Sequence, residues 1–166
     1  MRTSDIDEAA QAIRERQFAE EFGLLLTSFG TAPMFGRITG FLLICQPPEQ
    51  TAAQIATALD ASRGSLSTTT RQLVSAGMIE KVALPGSRAT HFRVRHTAWA
   101  DMMRVEMARM MVMREMAEHG LEVLATAQPE RRERLEQLRE FFLFMEREWP
   151  RLVDHWHART DAKEST

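Results

Sequence analysis

The chain has no tyrosine and one cysteine among 166 residues, with only six prolines and eight glycines. A single cysteine excludes an internal disulfide and fits a reducing compartment. That residue, Cys45, follows the apolar run Phe41-Leu42-Leu43-Ile44. It reads first as a small buried hydrophobe and second as a redox sensor. No stretch approaches the ~20 apolar residues of a membrane span. The start, MRTSDIDEAAQ, is acidic and has no apolar core, so it does not read as an export signal, and a cytoplasmic location is expected. Paired cysteines, HExxH, a glycine-rich phosphate loop and GxSxG are all missing, so no enzyme is expected. His155 and His157 are two apart and would not share a helix face, so neither a metal site nor a cofactor is expected.

Charge is scarce in net terms but unevenly spread. The chain carries −2 overall, yet residues 60–95 hold six Lys or Arg (63, 71, 81, 88, 93, 95) against two acids, a local +4. The segments on either side are each −3. Because salt screens exposed charges beyond ~8 Å, local sign matters more than the total. A nucleic-acid contact, which needs cations, would fall in that central segment.

The same segment carries the clearest fold pattern. Thr51 is placed to cap a short helix with Ile55, Ala56 and Leu59 on one face. Asp60-Ala61 ends it, and Ser62 is placed to cap a second helix. That helix puts Leu66, Thr70, Leu73 and Val74 on one side. Its other side shows Arg63, Ser65, Thr68, Arg71 and Gln72. Gly77 stops it. Met78 to Leu84 and Ala89 to Arg95 read as strands around the turn Pro85-Gly86-Ser87-Arg88. Helix, turn, helix and hairpin make a winged helix-turn-helix, whose slim second helix can enter a major groove while the hairpin reaches phosphates.

The pattern Ile55-Ala56, Leu59, Ser62 to Ser67, Leu73, Gly77-Met78-Ile79 and Arg88, Phe92-Arg93-Val94 resembles the MarR family of bacterial transcriptional regulators. The run Phe35 to Leu43 is similar to its GbsR-like branch. The resemblance implies a homodimeric, ligand-responsive repressor on a palindromic operator of double-stranded DNA. It implies that the second helix of the motif reads the groove. Ser65 and Ser67 then lie near its start and Thr68, Thr69, Arg71 and Gln72 in its exposed middle. Arg71 is suited to guanine and Gln72 to adenine. Arg88 falls at the wing tip, with Thr90, His91 and Arg93 behind it, and Arg63 at the helix entry. Arg37 has two readings, an ion pair with Glu20 or Glu21, or a phosphate contact.

The expected fold is mainly helical with a small β-hairpin wing. Residues 1–32 read as an N-terminal dimerisation helix, with Ile6, Ala9, Ala10, Ile13, Phe18, Phe22, Leu25, Leu26 and Phe29 as a stripe and Glu8 among the acids opposite. Residues 33–95 form the DNA-binding domain, opened by a nearly all-apolar helix from Met34 to Gln46. Residues 96–160 read as two further dimerisation helices, Thr97–Thr126 and Glu130–Arg159. Gly120 is expected to bend the first and Pro150 to kink or interrupt the second. Residues 161–166 read as a disordered tail. Such stripes need more apolar surface than a small winged helix offers, which points to a second copy.

The helix after the hairpin is rich in methionine, suited to packing or to a pliable wall around a small apolar or aromatic effector. Met107, Met110, Met111 and Trp149 are the candidate lining. A quaternary ammonium ligand would need an aromatic cage, and without tyrosine only Trp99, Trp149 and Trp156 could supply it. Two alternatives to a DNA regulator stand beside it: a winged helix that binds another protein, and a redox-responsive regulator acting through Cys45.

Overall fold

The structure, a computed structural model, describes the backbone of residues 3–164 and the side chains of residue 7 and residues 9–160. The side chains of Ile6 and Glu8 lie outside the described residues. The chain divides into two compact units, Met1–Ala98 and Trp99–Thr166. No described helix is long and apolar enough to cross a membrane.

The first unit is built from α1 (Thr3–Ser28), α2 (Pro33–Ile44), β1 (Gln50–Thr51), α3 (Ala52–Leu59), α4 (Arg63–Ser75), β2 (Ile79–Val82) and β3 (His91–Val94). Pro33 opens α2, where its fixed φ and missing N–H cost nothing. The Thr51 hydroxyl accepts from the Gln54 N–H at 3.2 Å, and the Thr51 N–H donates to Gln54 Oε1 at 2.8 Å, a reciprocal cap on α3. The Ser62 hydroxyl accepts from the Ser65 N–H at 3.2 Å and starts α4. Between the two helices Asp60 takes a left-handed φ of 49°. Gly77, with φ of 71°, turns the chain out of α4 into β2.

The strands form one antiparallel sheet in the order β1-β3-β2, with Lys81 opposite Phe92 and Glu80 opposite Arg93. The hairpin is therefore a three-stranded sheet, because the two-residue β1 pairs Gln50 with Phe92 and Thr51 with His91. Ile38, Ile55, Leu59, Leu66, Leu73, Met78 and Ile79 are fully buried between helices and sheet. Burying each such side chain is worth ~1.5–3 kcal/mol relative to exposure. The side of α1 that packs on α2 is a narrow line of Ala19, Phe22, Gly23 and Leu26. Most of the expected stripe is not used there: Ile13, Phe18, Leu25 and Phe29 are exposed.

The second unit holds α5 (Ala98–Met110), α6 (Val112–Val123) and α7 (Pro129–Glu164). The single helix expected over Thr97–Thr126 is interrupted at Met111, where the Arg114 N–H reaches back only three residues to the Met111 carbonyl. Gly120 does not mark the bend. It lies against α7, where an added Cβ would come 2.8 Å from Leu135 Cδ1. Ala117, Leu121 and Phe142 are buried, and the Arg132 guanidinium bonds the Leu124 carbonyl at 3.2 Å beyond the end of α6. The helix continues through Pro150, which is exposed, as is Glu146. The carbonyl that proline leaves without its helical donor therefore lies on the wet side. The disordered tail expected from residue 161 is corrected as far as 164. Helix α7 runs on to Glu164, since Ala162, Lys163 and Glu164 are strong helix formers and no breaker precedes them. Ser165 and Thr166 lie outside the described residues.

Candidate nucleic-acid interface

Helix α4 presents two adjacent polar rows. Arg63, Ser67 and Arg71 stand at i, i+4 and i+8; Ser65, Thr68 and Gln72 form the neighbouring row. All six are exposed. The first row forms one wall of a cleft of about 620 Å³. Ala52, Ala53, Ala56 and Thr57 of α3 form another wall, and Lys81, Thr90 and Phe92 of the sheet a third. Strand alternation explains the last set. Lys81 and Phe92 are cross-strand partners, so they share a face, and Thr90 is two residues from Phe92 on the same side.

Among the described residues, Arg63, Lys81 and Arg88 have no carboxylate partner, and Arg71 bonds only the Ser67 carbonyl of its own helix, at 3.1 Å. Three cations lining one cleft, and a fourth, Arg88, at the wing tip, are thus free for an anion. Lys81 is one of the six cations of the central segment, and sequence pattern alone does not mark it as a contact. The strand register that turns it toward α4 is what assigns it.

Four expected DNA contacts are not on this surface. Thr69 is 6% exposed and faces the core with Thr70, because its position on α4 falls between Leu66 and Leu73. His91 is 8% exposed, and its Nδ1 lies 3.1 Å from the Ala89 carbonyl. Arg93 is exposed but sits on the sheet face opposite Lys81. Its Nε donates to Glu80 at 2.7 Å and its Nη1 to Glu49 at 3.4 Å. Those carboxylates raise its pKa and cancel its charge locally, the Glu80 hydrogen bond most strongly. Arg37 takes the ion-pair reading: Nη2 donates to Glu20 at 2.5 Å and to the Leu59 carbonyl at 2.6 Å. Arg88, by contrast, is exposed at the wing tip and Thr90 borders the cleft.

Of the candidate effector lining, Met110 is exposed, and Met107 and Met111 are half-buried. Trp149 borders a shallow groove along α7 with Phe144, Met145 and Leu152, a groove the three methionines do not line. Cys45 is buried, its Sγ 3.5 Å from the Pro47 carbonyl. Burial pushes its thiol up to about 11, against 9.0 for the unperturbed group.

A winged helix with an unpaired cationic row on its second helix defines a class, the helix-turn-helix DNA-binding proteins. Comparison with known proteins narrows it. A family model described as "MmpR5-like MarR family transcriptional regulator" matches residues 97–159, the helices that follow the wing. The chain is 38% identical to the HTH-type transcriptional regulator MmpR5 of Mycobacterium tuberculosis over 130 residues, 78% of this chain and 79% of that one. A crystal structure of a transcriptional regulator superposes with a TM-score of 0.63 at 34% identity, covering 86% of this chain and 97% of the other. The chain belongs to the MmpR5-like MarR family of transcriptional regulators. It is a DNA-binding regulator and not an enzyme. The branch these comparisons name is MmpR5-like, not the GbsR-like one that Phe35 to Leu43 suggested.

Proposed function

We propose that the chain is a sequence-specific repressor that binds a palindromic operator as a homodimer in the cytoplasm and is released by a small apolar or aromatic effector. The observation that carries the DNA reading is the row Arg63, Ser67 and Arg71 facing Lys81 and Thr90 across an open cleft, its cations unmatched by acids. In this reading Ser65, Thr68, Arg71 and Gln72 read base edges, and Arg63, Lys81, Arg88 and Thr90 hold the backbone. Unmatched cations favour this over a protein-binding use of the fold. The burial of Cys45 speaks against redox control, since only a thiolate reacts readily.

The homodimer rests on apolar side chains that a single chain leaves in water. Leu24 of α1 and Phe29 just past its end are each 73% exposed, and Met116, Phe141, Leu152 and Trp156 of the second unit are at least half exposed. Apolar exposure on this scale marks an interaction surface. The effector rests on the adaptable methionines around Met107, Met110 and Met111, with Trp149 as the aromatic candidate. The experiment is selection of duplexes from a random pool, followed by titration of the winner in rising salt. An inverted repeat bound two chains at a time, with salt-sensitive affinity, is the expected result. A pool with no enriched sequence would overturn the reading.

A further inference from the structure

Arg37 belongs to α2, touches no part of the cleft, and is only 18% exposed at its side chain. Its guanidinium nevertheless ends on the helix-turn-helix. Nη2 bonds Glu20 of α1 and the carbonyl of Leu59, the last residue of α3. That carbonyl is one of those a helix end leaves without an internal donor. The next residue, Asp60, is the left-handed hinge of the turn, and Arg16 of α1 reaches its carboxylate at 3.4 Å. Helix α1 therefore grips the turn at two consecutive residues, once directly and once through Arg37. The Arg37 stem is fixed as well: a Cβ on Gly23 would come 2.7 Å from Arg37 Cγ, so the absent side chain at 23 makes room for it. Only the short linker Asp60 to Ser62 separates this grip from the first residue of α4.

The geometry points to Arg37 as a positioning residue for DNA reading, one that sets the angle of α4 by holding the end of α3 against α1, and that touches no phosphate itself. This rests on α4 being the reading helix. A charge-assisted bond to a carbonyl has a preferred direction, so losing it lets the turn relax while the apolar core still holds the two helices together. Specific binding needs both rows of α4 at one depth in the groove, whereas non-specific binding needs only the cations. The two modes should therefore separate.

The test compares wild type, Arg37→Met, Arg37→Lys and Glu20→Gln. Each is titrated with the duplex that wild type selects from a random pool and with a scrambled duplex of equal length, over a range of salt. Arg37→Met keeps the packed stem and removes both bonds. It should lose on the order of tenfold in affinity for the selected duplex. It should keep the scrambled affinity and the salt slope. Arg37→Lys, which can still donate to Leu59, should recover part of the loss, and Glu20→Gln should lose less than Arg37→Met. A salt slope reduced by about one, with both duplexes weakened alike, would make Arg37 a phosphate contact and overturn the inference. Unchanged affinity for both duplexes in a folded Arg37→Met would overturn it too. If Arg37→Met does not fold, an unaltered ratio of the two affinities in Arg37→Lys and Glu20→Gln does the same. Failure of wild type to select any duplex would strike the DNA reading instead.

Discussion

A Cβ on Gly36 would lie 2.7 Å from the Cα of Gly23. Helices α1 and α2 meet there backbone to backbone, and neither can give way without moving a whole helix. Gly36→Ala is expected to destabilise the first unit by ~1–3 kcal/mol, the usual cost of overpacking. Thermal or urea unfolding checks it. Gly64 is the control: it is helical, and a Cβ there meets nothing within 4 Å. Gly64→Ala should raise stability by up to ~1 kcal/mol.

Lys81→Ala and Arg88→Ala should each weaken binding to every duplex by a similar factor, and each should reduce the slope of log affinity against log salt by about one. Arg93→Ala is expected to leave that slope nearly unchanged, because Glu80 and Glu49 already neutralise it. Titration of one duplex at several salt concentrations separates the three. An Arg93 variant with a flattened slope would put Arg93 on the DNA.

Gln72→Ala should change sequence preference rather than general affinity. The expected loss is ~1–3 kcal/mol of discrimination at one or two base pairs of each half-site. Repeating the duplex selection with the variant reads this out. An unchanged consensus would remove Gln72 from the set of base readers.

Cys45 gives a pH dependence. The folded state holds the thiol proton up to about pH 11, whereas the unfolded chain releases it near 9.0. Between those values the native state binds more protons, so stability falls as pH rises from about 9 to about 11. Below pH 9 the residue contributes no slope. Unfolding curves across that range should show the decline in wild type and a smaller one in Cys45→Ala. At neutral pH, thiol-reactive dyes should label Cys45 slowly until the protein is unfolded.

The local signals in the sequence were easy to read because each depends on few neighbours. Thr51 and Ser62 cap where a hydroxyl before a helix should, and Gly77 turns where a left-handed residue is needed. The apolar face of α4 was legible in Leu66, Thr70 and Leu73, but threonine does not announce its side, and Thr69 joined the core. What pattern could not supply was register. The pairing of Glu80 with Arg93 cancels one wing cation and turns Lys81 toward α4, and it appears only once the strands are aligned. Strand β1 leaves no mark in the sequence because two residues carry no alternation. The fate of Arg37 depended on which of its neighbours across 22 residues of chain it would meet.

The brevity of β1 has a consequence for handling the protein. The sheet ends on one side in two residues and on the other in β2, four residues with an exposed lysine in their midst. Neither rim offers the long, flat row of unpaired amides on which stray chains stack into fibrils. Concentrated stocks should therefore resist strand-driven aggregation, and any self-association should come from helical faces, with no growth in cross-β signal over time.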